Sequence, residues 1–219
     1  APNLDVAART SAFGIWFNQG EVCTAGSRLI VEDKIKDEFL EKMMAVGQKM
    51  QPGDPPDPKT QMGAIADETQ TKRVMGYIEA GKKEGAELKM GGERTYVDNA
   101  GCFVPPTVFD KVSNKMKIAQ EEIFGPVLSV ISFKDAEDAL KTANDTIYGL
   151  ASGIWTSDIN KAFKFAKGLR AGSVWVNTYD GGDITTPFGG YKQSGIGRDK
   201  SLHALEKFSQ VKTTWVQLS

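Results

Sequence analysis

The sequence predicts an α/β fold, a mainly parallel twisted sheet flanked by helices. Three observations predict it. Short apolar, β-branched runs alternate with amphipathic helical stretches along most of the 219 residues. Those runs are apolar nearly throughout rather than at every second position, as in strands covered on both faces. The length is enough to bury a full hydrophobic core in one large domain, or one domain plus an appendage, and no internal repeat suggests a solenoid.

The elements follow in order. Leu4, Ala8, Ala12, Ile15 and Trp16 keep helical spacing, and Asn18-Gln19-Gly20 supplies a polar, glycine-containing end, so a first helix delivers the chain to Cys23. Leu29, Ile30 and Val31 form a short strand. Asp33 then opens a helix with Ile35, Phe39, Leu40, Met43 and Met44 on one face. The stretch QPGDPPDPK, Gln51 to Lys59, holds four of the nine prolines and reads as a surface loop. Asp67 caps a helix reaching about Gly85, with Val74, Ile78 and Gly81 on its buried stripe, and Ala86 to Met90 follows as a strand.

Phe103-Val104 and Val108-Phe109 flank a double proline, Val127 to Phe133 is strongly β-prone, and Asp135 opens a short helix from Ala136 to Asn144. Strand, helix and strand come next at Leu150 to Trp155, Ile159 to Leu169 and Gly172 to Val176. The glycine- and hydroxyl-rich loop from Tyr179 to Lys200 is long enough to suspect function. A short helix around Leu202 to Phe208 precedes VKTTWVQL, Val211 to Leu218, an alternating run expected to pair with another chain or domain.

Lys and Arg number 27 against 28 Asp and Glu, which leaves no global basic footprint for nucleic acid. No apolar run reaches the ~18 residues of a membrane span, and the first residues do not resemble a secretion signal. Two cysteines, Cys23 and Cys102, suit a reducing compartment. The chain therefore reads as soluble and cytoplasmic, and no metal site is predicted.

Cys23 stands between a helix end and a strand, where backbone N–H groups are free to face developing negative charge, and Thr24, Ala25 and Gly26 leave room around the sulfur. Free cysteine is also among the most buried residue types, so a core hydrophobe is the competing reading. Cys102, in NAGCFVPP, reads as an inert strand-edge residue without companion groups. The only histidine, His203, would have to meet Cys23 for a Cys-His hydrolase. Glu21 reads as a solvated neighbour of the thiol. In QEEIFGPVLSV, Gln120 to Val130, carboxylates at the lip of a parallel strand either hold ribose hydroxyls or are ordinary loop charges. The glycines at 189–190 and at 195 and 197 do not complete a G-x-G-x-x-G between strand and helix.

Three motifs nevertheless fall in register. FNQGEVC at Phe17 to Cys23, EEIFGPV at Glu121 to Val127 and PFGGYKQSGIGRD at Pro187 to Asp199 resemble the aldehyde dehydrogenase superfamily, in that order and over the whole chain. VNTYDGGDITTPFGGYKQSG, Val176 to Gly195, and the tail from Gly197 to Trp215 are similar to bacterial γ-glutamyl-γ-aminobutyraldehyde and related ω-aminoaldehyde dehydrogenases.

The resemblance implies an oxidoreductase that uses NAD or NADP. It makes Cys23 the nucleophile that forms a thiohemiacetal and then a thioester, Glu122 the residue on the nicotinamide ribose and Phe124 the aromatic beside the nicotinamide. It lines a substrate tunnel with Phe17, Val22, Thr24 and Phe188 and sets Asp180 at the mouth. Gly182, where several relatives carry a bulky aromatic, and Asp183 imply a roomier, more acidic mouth for a long or cationic ω-aminoaldehyde. Asp199 stands where the family usually has a glutamate implicated in proton relay, one methylene shorter here. Residues 1–208 then correspond to the catalytic domain. The N-terminal cofactor domain, with the general base, the oxyanion asparagine and the dinucleotide-binding lysine and glycines, is expected before Ala1. Residues 209–219 correspond to an oligomerisation strand joining a neighbour in a homo-oligomer. The isolated chain is expected to turn over little. A cysteine hydrolase or esterase using Cys23 and His203, and a non-catalytic module on the same fold, stay open as alternatives.

Overall fold

Residues 3–219 are described by a computed structural model. Helix α1, Leu4–Trp16, begins where the Asn3 side chain accepts the Val6 N–H at 3.0 Å. Its buried face is Ala7, Ala8, Ala12, Ile15 and Trp16, and the three alanines let α2, Lys36–Gly47, pack closely across it. A 3₁₀ turn, Phe17–Gly20, ends α1, with Asn18, Gln19 and Gly20 all at positive φ. Asparagine and glycine tolerate that region best, which is why this triplet stops the helix.

Strands β1 (Arg28–Glu32), β2 (Glu87–Met90), β5 (Thr107–Asp110) and β6 (Val127–Phe133) form one sheet in the order β1-β6-β5-β2. Only β2 runs antiparallel, so the sheet is mixed at one edge. Helix α3, Glu68–Lys83, is capped by Asp67, which accepts the Gln70 N–H at 2.7 Å. The pleat sends Leu128 and Val130 of β6 into the core under α1 and α2, and Val127 and Ile131 into a second core with Val74, Ile78 and Phe109. Both faces are covered, which accounts for the unbroken apolar run of β6.

Strands β3 (Thr95–Val97) and β4 (Ala100–Phe103) form a separate hairpin that periodicity did not predict. Its turn, Asp98-Asn99, has φ of 46° and 66°, the left-handed pair that a two-residue hairpin loop requires. The hairpin corrects the reading of Cys102. Its sulfur lies 3.7 Å from Glu68 Oε2, a carboxylate that Arg94 holds through both guanidinium nitrogens.

Beyond the short α4, Lys117–Gln120, helix α5 (Ala136–Asn144) begins where Asp135 accepts the Glu137 and Asp138 N–H groups, each at 2.9 Å. Strand β7 (Ala151–Ile154), helix α6 (Ile159–Gly168) and strand β8 (Ser173–Val176) follow as expected. The sheet is divided here, because β7 and β8 pair in parallel only with each other. All five residues of β1 and all four of β7 line one cavity of about 980 Å³. Side chains alternate along a strand, so consecutive lining residues mean that the strand edges, not their faces, border this space.

The predicted helix near residue 202 is a 3₁₀ segment, Leu202–Lys207. Among the described residues, VKTTWVQL pairs with no strand and stands exposed, Val211 at 97% and Trp215 at 90%. A strand needs a partner edge for its backbone groups, and none lies beside this run. No helix among the described residues is long and apolar enough to cross a membrane.

Candidate functional site

Cys23 occupies a β-turn from Val22 to Ala25, closed by the Ala25 N–H donating to the Val22 carbonyl at 3.0 Å. The thiol is exposed and borders the large cavity. The next amide anchors the turn to α1, Gly26 N–H to the Gly14 carbonyl at 3.0 Å. Among the described residues, the Cys23 and Thr24 N–H groups donate to no protein acceptor. Free amides beside an exposed thiol are donors of the kind an oxyanion needs.

The 3₁₀ turn just before the Cys23 turn meets the loop after α4 backbone to backbone, since a Cβ on Gly20 would strike the Gly125 carbonyl. Glu122 and Phe124 of that loop therefore border the same cavity as Cys23. The loop is held from α3: Gln70 Nε2 donates to the Ile123 and Phe124 carbonyls at 3.0 and 2.8 Å, and Arg73 donates to the Glu122 carbonyl at 3.2 Å. Phe124 is kept at φ 57° with 38% of its surface exposed. The two adjacent carboxylates differ in employment. Glu121 accepts the Tyr77 hydroxyl at 2.8 Å, whereas the Glu122 carboxylate accepts no hydrogen bond among the described residues. A free carboxylate and an exposed ring on the rim of the thiol's cavity fit the ribose and nicotinamide of a dinucleotide.

Phe17, Val22, Thr24 and Asp180 come together with Thr10, Phe13, Gly14 and Tyr179 around a second pocket of about 150 Å³. Phe13 and Phe17 stack there with ring centroids 4.8 Å apart. Asp180 accepts the Thr24 hydroxyl at 3.0 Å. Phe188 is not brought in. It is half-buried, pairs its backbone with Asp199 and lies under the Lys200 ammonium at 5.5 Å.

Four further sequence-based assignments, Gly182, Asp183, Asp199 and His203, fall outside both cavities. Asp183 folds back on Thr185, whose hydrogen bonds hold its carboxyl below the ordinary range, so Asp180 is the carboxylate at the pocket. Asp199 pairs with Lys207 at 2.7 Å on the surface, and His203 lies 3.4 Å from Glu206. Gly182 does leave open space, with only Lys200 Nζ 3.7 Å from where a Cβ would stand. Glu21 accepts the Ala66 N–H at 3.1 Å, so its carboxylate is committed to the 63–66 segment.

Sequence reasoning missed Gln70 and Arg73, one helical turn apart on α3, and Tyr179. Their partners are backbone carbonyls distant in the chain, which no local pattern marks. The Tyr179 hydroxyl donates to the Thr24 carbonyl at 2.7 Å, and burial pushes this phenol above its ordinary range, with Asp180 adding to the shift.

The chain as a whole matches one set of known proteins. A model of the aldehyde dehydrogenase family matches residues 1–214. The chain belongs to the aldehyde dehydrogenase family. It is 48% identical over 219 residues to the NADP/NAD-dependent aldehyde dehydrogenase PuuC of Escherichia coli, covering 99% of this chain and 43% of that protein. The crystal structure of the aldehyde dehydrogenase KauB from Pseudomonas aeruginosa superposes with a TM-score of 0.95 at 59% identity, covering 100% of this chain and 44% of that one. A γ-glutamyl-γ-aminobutyraldehyde dehydrogenase from Burkholderia cenocepacia gives 0.91 at 57% identity, over 94% of this chain and 42% of its own. The chain thus spans under half the length of these members of the family.

Proposed function

We propose that this chain carries the nucleophile side of an NAD(P)-dependent aldehyde dehydrogenase that oxidises an aldehyde to its carboxylic acid. The observation that supports it most is Cys23 itself, exposed on a turn with two free amides, in one cavity with the uncommitted carboxylate of Glu122 and the ring of Phe124. The Cys23 thiolate adds to the aldehyde carbon, a C–S bond forms as the C=O π bond breaks, and the electron pair moves to the oxygen, which accepts a hydrogen bond from the Cys23 N–H. Loss of hydride from that carbon leaves a thioester, and water displaces the thiol to release the acid. NAD(P)+, when bound, supplies the hydride acceptor, and Glu122 and Phe124 are the residues that would hold it.

Residues 1–208 are read as the catalytic domain and 209–219 as a strand offered to a neighbour in a homo-oligomer; the exposure of Val211 and Trp215, with no strand paired to this run among the described residues, supports the second reading. The small pocket combines Phe13, Phe17 and Val22 with Asp180, which suits an aldehyde with an apolar chain and a cationic far end. An ω-aminoaldehyde or γ-glutamyl-aminobutyraldehyde meets that description, and the similarity to the Burkholderia enzyme supports it.

Alkylation by iodoacetamide, followed by peptide mass spectrometry, tests the nucleophile. Cys23 is expected to react about ten-fold faster than Cys102, and equal rates would remove the central support. For the substrate, a form that binds NAD should show a higher kcat/KM for 4-aminobutyraldehyde than for a simple alkyl aldehyde; equality sinks the cationic reading.

A further inference from the structure

Tyr179 and Asp180 are consecutive, and both grip Thr24, the residue after Cys23. The Tyr179 hydroxyl donates to the Thr24 carbonyl at 2.7 Å, and Asp180 accepts the Thr24 hydroxyl at 3.0 Å. Thr24 is only 6% exposed and Tyr179 is partly buried, so the Tyr179 bond lies mostly within the fold, whereas Asp180 is exposed and holds the Thr24 hydroxyl from the solvent side. Its main chain and its side chain are thus held at once, by residues 155 and 156 positions further along the chain.

The Tyr179 ring reaches Thr24 through a slot built of glycine. A Cβ at Gly14 of α1 would stand 3.0 Å from the ring, and one at Gly153 of β7 only 2.7 Å. At Gly26 it would stand 3.4 Å from the phenol oxygen. Three separate segments omit a side chain where this ring passes. Trp175 backs the ring, centroids 4.9 Å apart, and donates its indole N–H to the Gly181 carbonyl at 2.6 Å. Gly14, Val22, Thr24 and Tyr179 border both the thiol's cavity and the small pocket. The clamp is therefore the wall between the space where the chemistry would occur and the space where a substrate chain would lie.

We propose that Tyr179 and Asp180 are positioning residues that keep the Cys23 turn in the conformation presenting its thiol, and that they tie this turn to the substrate pocket. The inference rests on Cys23 being the nucleophile. A turn released from the clamp presents the thiol for a smaller fraction of the time, and reactivity falls with that fraction. Asp180 contributes from the pocket side, so a ligand that draws on its carboxylate acts on the Thr24 hydroxyl as well.

The test is the second-order rate of Cys23 alkylation by iodoacetamide in the 219-residue chain, with Cys102 in the same molecule as the reference. Tyr179→Phe keeps the ring and removes only the hydroxyl, and Thr24→Val keeps the shape and removes the donor. Each is expected to slow Cys23 about five-fold, what one ordinary hydrogen bond is worth in a rate, while Cys102 is unchanged. Thr24→Ser restores the donor and should restore the wild-type rate. Cys23 rates within about two-fold of wild type in both variants, a faster Cys23, or Cys102 moving in step with Cys23 would each overturn the proposal. Failure of Thr24→Ser to restore the rate would overturn it too. The underlying nucleophile reading fails differently, through a wild-type Cys23 no faster than Cys102, and the variant-to-wild-type ratio stays defined in that case.

Discussion

Strands β6 and β7 are both parallel-paired and built of apolar and small residues, yet five of the seven residues of β6 are buried and none of the four of β7 is. The difference lies in what covers them. β6 has a strand on each edge and a helical layer on each face, whereas β7 has β8 on one edge and the large cavity on the other. The proposed site lies along this seam. Cys23, Glu122 and Phe124 come from the closed side; Tyr179 and Asp180 reach across from the open side. The more buried half thus carries the proposed nucleophile and the less buried half the contacts proposed to orient it, a division common where loops carry function on a packed scaffold.

The largest expected contrast is in amide exchange. Amides of β1 and β7 that point away from β6 and β8 should exchange at least about a hundred-fold faster than those of β6, because opening free energies range from near zero at unpaired edges to the global value in a core. Equal protection would show that the two sheets close directly on each other. Core truncation comes next. Phe109→Ala, at a fully buried site, should cost about 3–5 kcal/mol in urea unfolding. Ile154→Ala, on the half-exposed β7, should cost about 1 kcal/mol, and similar values would erase the distinction between the halves.

The bond that joins the halves is a smaller term than the Phe109 core. Tyr179→Phe leaves the buried Thr24 carbonyl without its donor, for about 1.5 kcal/mol near pH 8. This difference depends on pH in a stated direction. The folded-state pKa of Tyr179 lies above that of a free phenol, about 10. Below that value both states keep the proton and the contribution is complete. As the pH rises past it the unfolded chain loses the proton first, binds fewer protons than the folded chain, and stability falls. The wild-type advantage over Tyr179→Phe should shrink between pH 8 and pH 10.5 in urea midpoints, and an advantage that grows would contradict the buried phenol. Asp135→Ala removes the α5 cap for about 1 kcal/mol without touching the seam, so its effect on the Cys23 alkylation rate is the smallest of all: no change.

Where signals are local, the sequence was legible. Val127–Phe133 and Ala136–Asn144 fall where the β-branched run and the Asp135 cap predict them, because a strand's propensity and a helix's N-cap are decided within a few residues. The Asp98-Asn99 hairpin turn was available in the sequence and overlooked, since its flanking strands are only three and four residues long. Phe188 shows the opposite limit. Its motif is intact, yet its position depends on how the 179–200 loop settles against Asp199 and Lys200, which is a matter of tertiary contact.

By itself the sequence determined the α/β alternation and the helix caps, and set Cys23, Glu122 and Phe124 in the motifs that carry the resemblance, because each is written in side-chain type at short spacing. Only the tertiary structure decided which carboxylate is free, Glu122 rather than Glu121, by giving Glu121 the Tyr77 hydroxyl. It alone also passed Tyr179 between three glycines to the carbonyl beside the thiol. The physical reason is the same in both cases. A hydrogen bond between residues 44 or 155 positions apart has no local spacing to betray it, and exists only once the packed elements bring donor and acceptor within reach.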